Sequence, residues 1–359
     1  MFWFLLSCFH HPIELVESTP LELKADDPLT RNTALVWKQL FSEAENSIDI
    51  GCFYISPGGE TDSFAPIWQE LKTASQRGVQ LRILVDKHFS SKYPAPLEEI
   101  ASWKNTELRL SDYSPSVMHA KYTIIDKKKA FVGSQNFDYR ALDHIFELGY
   151  LVSEKRLVQN IQDIFEMDWQ NKELSSSKST SSNHPYSIVA APPNRLPGNV
   201  THDLPHILRL IDQAQSRIEI QLLSYSNFGH SKEHWYVLDE ALIGAQKRGV
   251  EVHLLVSDWS IKGKKGKSIK NLAAHGINLR YASIPKHSSG PIPYARTIHS
   301  KFMVVDRKHC WLGTSNWSKD YFTQSRNIGI LIKQKRDCLK LSAHFNRLYR
   351  SEWTHLLQP

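Results

Sequence analysis

No stretch of the 359 residues approaches the roughly 18–20 consecutive apolar side chains that a bilayer-crossing helix needs, which excludes an integral membrane span. Cysteine is scarce. Cys8, Cys52, Cys310 and Cys338 are the whole set, and no two stand in CxxC spacing. That excludes a disulfide-built scaffold and argues against a zinc ribbon or a dithiol redox centre. The N-terminus lacks charge. Met1–Phe9 reads MFWFLLSCF with no basic residue before it. A secretory signal combines a charged start with about 7–15 apolar residues. The apolar stretch fits and the charge is missing, so an exported protein and a cytoplasmic one both stay open.

Hydrophobic residues make up 41% and charged residues 23%, enough for a packed core and too apolar for global disorder. At about 100–200 residues per domain, the length suggests two domains. Lys plus Arg is 44 against 37 for Asp plus Glu, a formal net charge of +7. This balance favours an anionic partner: nucleic acid, acidic lipid or a phosphate ester. Ten tryptophans and thirteen tyrosines would suit stacking on bases, although core packing is the commoner use.

The chain repeats itself. Ser47-Ile48-Asp49-Ile50 returns as Arg217-Ile218-Glu219-Ile220, each after a helical pattern (Leu35–Ala44 and Ile207–Ala214). Arg77-Gly78-Val79 opens an alternating strand, as does Arg248-Gly249-Val250, and each glycine stops a helix. Gly149 aligns with Gly329. Alternating helices and strands predict an α/β layered fold. Two copies 170–180 residues apart predict a pseudo-dimer with equivalent residues facing each other across a pseudo-twofold axis. The serine-rich stretch Asn171–His184 separates them, giving domains over 12–174 and 185–359 with a linker at 175–184. Lys262–Lys270 is expected to be a longer, flexible loop of the second half, and Lys127–Lys129 a solvated hairpin tip.

Each copy carries the same polar pattern. His119-x-Lys121, four residues, then Asp126 is followed after six residues by Gly133-Ser134-Gln135-Asn136. The second copy gives His299, Lys301, Asp306 and Gly313-Thr314-Ser315-Asn316 at identical spacing. Six specified positions match by chance roughly a few times in a hundred million starts. In a strand, residues i and i+2 share a face, so His119 with Lys121 and His299 with Lys301 point the same way. Gly133 lets backbones approach, and Asn136 and Asn316 offer amides. An imidazole, an ammonium and an amide from each half suit one small anion, and a phosphoryl group with its shared negative oxygens fits that set.

With these residues in view the chain resembles the phospholipase D superfamily, whose mark is the paired His-Lys-Asp motif. The resemblance runs from about Glu17 to Trp353. It is similar to the branch holding the lysosomal phospholipase-D-like 5′-exonucleases (phospholipases D3 and D4) and the poxvirus nicking-joining enzyme. Pro293-Tyr294-Ala295-Arg296, Gly313–Ser318 with Tyr321-Phe322, Asp138–Leu142 and Glu147-Leu148-Gly149 carry that narrower likeness. The resemblance implies two similar α/β/α sandwich domains with mixed sheets. It implies a hydrolase that cleaves phosphodiesters through a phosphohistidine, with no metal or cofactor. Its implied catalytic residues are His119, His299, Lys121, Lys301, Asp126, Asp306 and Glu147. Its implied substrate-binding residues are Asn136, Asn316, Ser134, Thr314, Tyr294 and Phe302.

One histidine would attack phosphorus while the other serves as acid and base, so the environment must separate their pKa values. Glu147 lies 28 residues after His119, whereas Asn327, uncharged, lies 28 after His299. The family places a glutamate behind the histidine at this spacing, and a carboxylate there raises basicity. The expectation is therefore His119 as nucleophile and His299 as acid/base, with Asp126 or Asp306 as other possible supports for either ring. Single-stranded nucleic acid is the expected substrate, attacked from the 5′ end, with Phe53, Tyr54, Tyr225, Tyr294, Phe302 and Trp317 available for stacking. A phospholipase or transphosphatidylase acting on phospholipid headgroups is the alternative, and a non-catalytic binding protein is a third reading that the completeness of both motifs disfavours. The oligomeric state is not legible.

Overall fold

The computed structural model describes residues 11–173, 184–229 and 233–358. The apolar segment Met1–Phe9 and most of the serine-rich linker lie outside the described residues. Two mixed sheets form the framework. The first runs, in spatial order, Arg31–Asn32, Ile13–Ser18, Ile145–Val152, Lys129–Gly133, Tyr122–Ile125, Ser47–Cys52, Gln80–Asp86, Thr106–Ser111. The second runs Thr201–His202, Tyr186–Ala191, Asn327–Ile332, His309–Gly313, Lys301–Val305, Arg217–Leu222, Glu251–Ser257, Asn278–Ala282, with Thr354–Leu356 added at its edge. The two orders match strand for strand, as the repeat predicts.

Helix patterns explain the layers. Helix Thr33–Ser42 buries Val36, Trp37, Leu40 and Phe41, the i, i+1, i+4, i+5 stripe of one face, and Asn32 caps it by accepting from the Ala34 amide at 2.8 Å. With Phe64–Gln76 and Pro94–Ala101 it covers the outer face of the first sheet. Asp203–Gln213, Val237–Lys247 and Gly263–Ala274 do the same for the second. The inner faces share one core. Helices Lys155–Trp169 and Lys335–Tyr349 contribute Ile161, Ile164, Phe165, Leu341, Phe345 and Leu348 to it. Cys310 on a central strand and Cys338 on the last helix form a disulfide, and Cys52 is free and buried. Gly78 (φ +98°) and Gly249 (φ +90°) end their helices as expected.

The halves also exchange backbone. Thr297–Ile298, from the second half, lies parallel against Ile145–Phe146 and becomes the ninth strand of the first sheet. In the other direction Met118 bridges Arg326. Neither half is thus closed at a boundary near residue 175, although the other strands of each sheet come from its own half. The stretch Lys262–Lys270 departs from expectation: it belongs to the helix Gly263–Ala274. Ile269 and Leu272 are buried three apart and Gly266 is buried against Ile261, so an apolar stripe anchors what composition alone presents as a lysine-rich loop.

Candidate active site

The strand exchange assembles the site. The His119 amide donates to the Arg326 carbonyl at 2.9 Å, and the His299 amide donates to the Phe146 carbonyl at 2.9 Å. Each histidine is thereby held against the first residues of a central strand of the opposite half. His299 Nδ1–H donates to both oxygens of Glu147, at 2.8 and 2.9 Å. His119 Nδ1 stands 3.3 Å from Asn327 Oδ1. Asn327 cannot turn over: its Oδ1 accepts from Thr314 at 2.8 Å and its Nδ2 donates to the Tyr321 carbonyl at 2.8 Å. The oxygen therefore faces His119, Nδ1 carries the proton, and Nε2 holds the reactive lone pair when the ring is neutral.

This corrects the pairing expected from spacing. Glu147 backs His299 and not His119. The 28-residue interval marks Glu147 and Asn327 as equivalent but does not say whether each serves the histidine of its own half, and the twofold arrangement sends each across. Asp126 and Asp306 back neither ring. Asp126 sits at the hairpin turn with φ +51° and accepts from the amides of Glu45, Asn46 and Ser47 at 2.7–3.0 Å. Asp306, φ +50°, does the same for Gln215, Ser216 and Arg217 at 2.8–2.9 Å. Each carboxylate ties a turn to the start of the neighbouring strand, at the far end of its own strand from the histidine.

Lys121 and Lys301 are buried beside the histidines, and each ammonium donates to the carbonyl of the histidine two residues before it. Ser134 and Thr314 lie behind the rings. The Leu148 and Ile328 amides donate to them at 3.1 Å each, so they position the strands bearing Glu147 and Asn327. Asn136 and Asn316 are buried, and the Oδ1 of each has no hydrogen-bond partner among the described residues, which leaves polar capacity unspent on the protein. Gly133 and Gly149 pair across their strands, and a Cβ on Gly133 would meet the Gly149 Cα at 2.8 Å. Gly313 and Gly329 repeat the close approach in the second half.

The expected aromatics divide. Phe302 is wholly buried in the shared core against His344 and Phe345, because it points to the opposite sheet face from Lys301. Tyr225 and Trp317 are buried as well. Tyr294 is 75% exposed in a loop and makes no ring contact with the histidines. Phe53 does belong to the site, with its ring 5.1 Å from that of His119 and 5.1 Å from the Lys121 ammonium. Tyr321 packs on the other side of His119 at 5.0 Å. Its place was not legible from spacing, since it stands after the second motif and touches the first.

Burial sets the electrostatics. His119 and His299 are 5% and 8% exposed. Burial, reinforced by the two ammoniums, holds both imidazoles well below their ordinary range. Burial pushes Lys301 down to about 7 against the pull of Glu147, and it pushes Glu147 up to about 7 against Lys301 and Lys121. Lys121 is driven well down by burial and by Lys301. These mutual effects place two imidazoles and two ammoniums in one pocket that resists charge when empty and welcomes an anion. Chemically it offers a nucleophilic nitrogen, a proton donor across from it, and cations for the developing negative charge.

Comparison with known proteins agrees. The family model described as "Cardiolipin synthase, PLD-like domain" matches residues 37–169 and 207–349, one copy per half. The chain is similar to the 5′-3′ exonuclease PLD3 of Rattus norvegicus, 30% identical over 96% of this chain and 80% of that protein. It is also similar to the 5′-3′ exonuclease PLD4 of Mus musculus, 26% identical over 95% and 78%. Among solved structures, phosphatidylserine synthase of Haemophilus influenzae shares the fold with a TM-score of 0.67 at 13% identity, covering 90% of this chain and 85% of that one. Twin motifs on twin sheets, matched by the family model in both halves, make this chain a phosphodiesterase of the phospholipase D superfamily, on the branch of the PLD3- and PLD4-like exonucleases.

Proposed function

We propose that this protein is a 5′-exonuclease of single-stranded nucleic acid that works through a phosphohistidine on His299. The observation that carries the substrate is the similarity, along 95–96% of the chain, to proteins described as 5′-3′ exonucleases. The depth of the imidazoles agrees with it. A flexible single strand can bring one phosphodiester down to rings that are 5% and 8% exposed, which a stiff duplex resists.

The carboxylate pairing supports one division of roles. Glu147 fixes the His299 tautomer and raises its basicity, so His299 Nε2 attacks phosphorus. The P–N bond forms, the P–O bond to the leaving group breaks, and His119 Nε2–H gives its proton to the leaving oxygen. His119, now neutral, takes a proton from water; the hydroxide oxygen bonds phosphorus, the P–N bond breaks, and a phosphate monoester leaves. Lys121, Lys301, Asn136 and Asn316 hold the non-bridging oxygens. The roles are thus the reverse of those expected from spacing.

Purified protein given 5′-labelled single-stranded DNA, and separately a choline phospholipid, with EDTA present, tests this. Stepwise loss of the 5′ end with the lipid intact is expected. Cleavage of lipid alone favours the headgroup reading, and cleavage of neither favours a binding protein. Loss of DNA cleavage on adding EDTA contradicts the metal-free route.

A pH profile follows from His119. It must be protonated to act as acid, and burial with two neighbouring ammoniums lowers its pKa. kcat/KM is therefore expected to fall as pH rises through that lowered value. Asn327→Asp sets a carboxylate behind His119 and is expected to move the falling limb upward by about 1–2 pH units. An unmoved limb means another group supplies the proton.

A further inference from the structure

The two halves match in backbone but not in what they present at the rim of the site. On His119's side, Phe53 is stacked on Phe89 at 4.2 Å, with Tyr54 stacked on Tyr93 at 5.1 Å behind them. Phe53, Phe89 and Tyr93 are half-buried. The Lys92 ammonium lies 4.3 Å from the Phe89 ring. Asp86 ties this cluster to the catalytic strand: one oxygen accepts from the Phe89 amide at 2.7 Å, the other from the Met118 amide at 2.8 Å. Counting along the repeat, the positions of Phe53, Tyr54, Phe89 and Tyr93 are taken in the second half by Leu223, Ser224, Ser260 and Lys264. No aromatic stands at any of them.

The charge is reversed as well. The first-half helix Pro94–Ala101 carries Glu98 and Glu99 and no lysine. Its second-half counterpart Gly263–Ala274 carries Lys264, Lys265, Lys267 and Lys270, all exposed, while Ile269 and Leu272 face the core. Among the described residues none of the four has a carboxylate within ion-pair distance. Ser268 anchors this helix to the loop after strand Arg217–Leu222, where the Asn227 amide donates to its hydroxyl at 3.2 Å and Tyr225 bridges Trp317 beside Asn316. Phe53 and Phe89 thus stand at the carboxyl ends of the parallel strands of the first sheet, the edge where open α/β sheets take ligands, and helix Gly263–Ala274 starts from that edge of the second sheet before running over its outer face.

We propose that Phe53 and Phe89 form a stacking platform for a base flanking the scissile phosphate, and that the lysines of helix Gly263–Ala274 hold backbone phosphates of the same strand on the opposite rim. The first-half rim presents mainly rings, whereas the second-half rim presents ammoniums beside the smaller ring cluster of Phe228, His234 and Tyr236, so a single strand meets unlike surfaces on the two sides of a site whose catalytic core is nearly symmetric. The inference rests on the nuclease reading and adds how the strand is gripped and oriented.

The test uses a strand of about 12 nucleotides, and the same strand with abasic residues on both sides of the first linkage. Phe89→Ala is expected to raise KM roughly 5–100-fold on the base-bearing strand and leave the abasic strand unchanged, with Phe89→Tyr restoring the wild-type value. Lys264→Gln/Lys267→Gln/Lys270→Gln is expected to flatten the slope of log KM against log salt by about 2 for the long strand and not for a dinucleotide. Equal effects of Phe89→Ala on both strands, or an unchanged salt slope, overturn the proposal while the nuclease reading stands. A wild-type protein that cleaves phospholipid and neither strand overturns both.

Discussion

His299→Asn is expected to lower kcat by roughly 10⁴–10⁶-fold, because it removes the group proposed to form the covalent bond. His119→Asn leaves that nucleophile and removes the proton shuttle. Given a phosphodiester labelled on phosphorus whose leaving group needs no proton, such as p-nitrophenolate, it should accumulate labelled protein, because the second half-reaction lacks its base. Denaturing gels on acid-labile, base-stable label read this directly. Label on His299→Asn and none on His119→Asn would return the nucleophile to His119. Glu147→Gln should cost about 10²–10⁴ in kcat, since an amide holds the ring but no longer favours its imidazolium-like transition state. The carboxylate is wholly buried and within 2.9 Å of His299 alone of the two rings, so the loss should appear in the label-forming step.

Arg326→Met should destabilise the fold by about 3–5 kcal/mol. Arg326 and Asp168 are both fully enclosed and meet at 2.7 Å. Burial works against the guanidinium's charge and Asp168 works for it, with the net upward. The guanidinium also donates to the Ala191 and Arg195 carbonyls at 2.8 and 2.7 Å, and Tyr113 donates to Asp168 at 2.7 Å. The cluster therefore binds the last helix of the first half to the first strand and loop of the second. Removing the guanidinium strands a carboxylate in the core. Arg326→Met with Asp168→Leu should recover much of the loss, and denaturant midpoints for the singles and the double close the cycle. A single variant within about 1 kcal/mol of wild type would show that this buried pair adds little to what holds the halves together.

The duplication and the polar motif could be read from the chain because both are periodic or repeated: His119 with Lys121 and His299 with Lys301 obey the two-residue strand period. The equivalence of Glu147 and Asn327 was legible in the same way. Their partners were not. A repeat says which residues correspond and is silent on which half each one faces, and here Thr297–Ile298 and Met118 carry the histidines across. Asp126 and Asp306 show a second limit. A motif can recur because a turn needs three amides capped, and such recurrence looks the same in sequence as shared chemistry. Phe302 failed on parity, since one position along a strand turns a side chain from the pocket into the core.

The backing of the two rings has an implication for descent. A dimer of identical chains would be obliged to set the same side chain behind both imidazoles, so any gain in nucleophilicity at one would be copied to the other. Joining the copies in one polypeptide frees them to diverge: Glu147 and Asn327 occupy twin positions and now set a carboxylate behind one ring and an amide oxygen behind the other. Covalent fusion is what permits division of labour between ancestral equals.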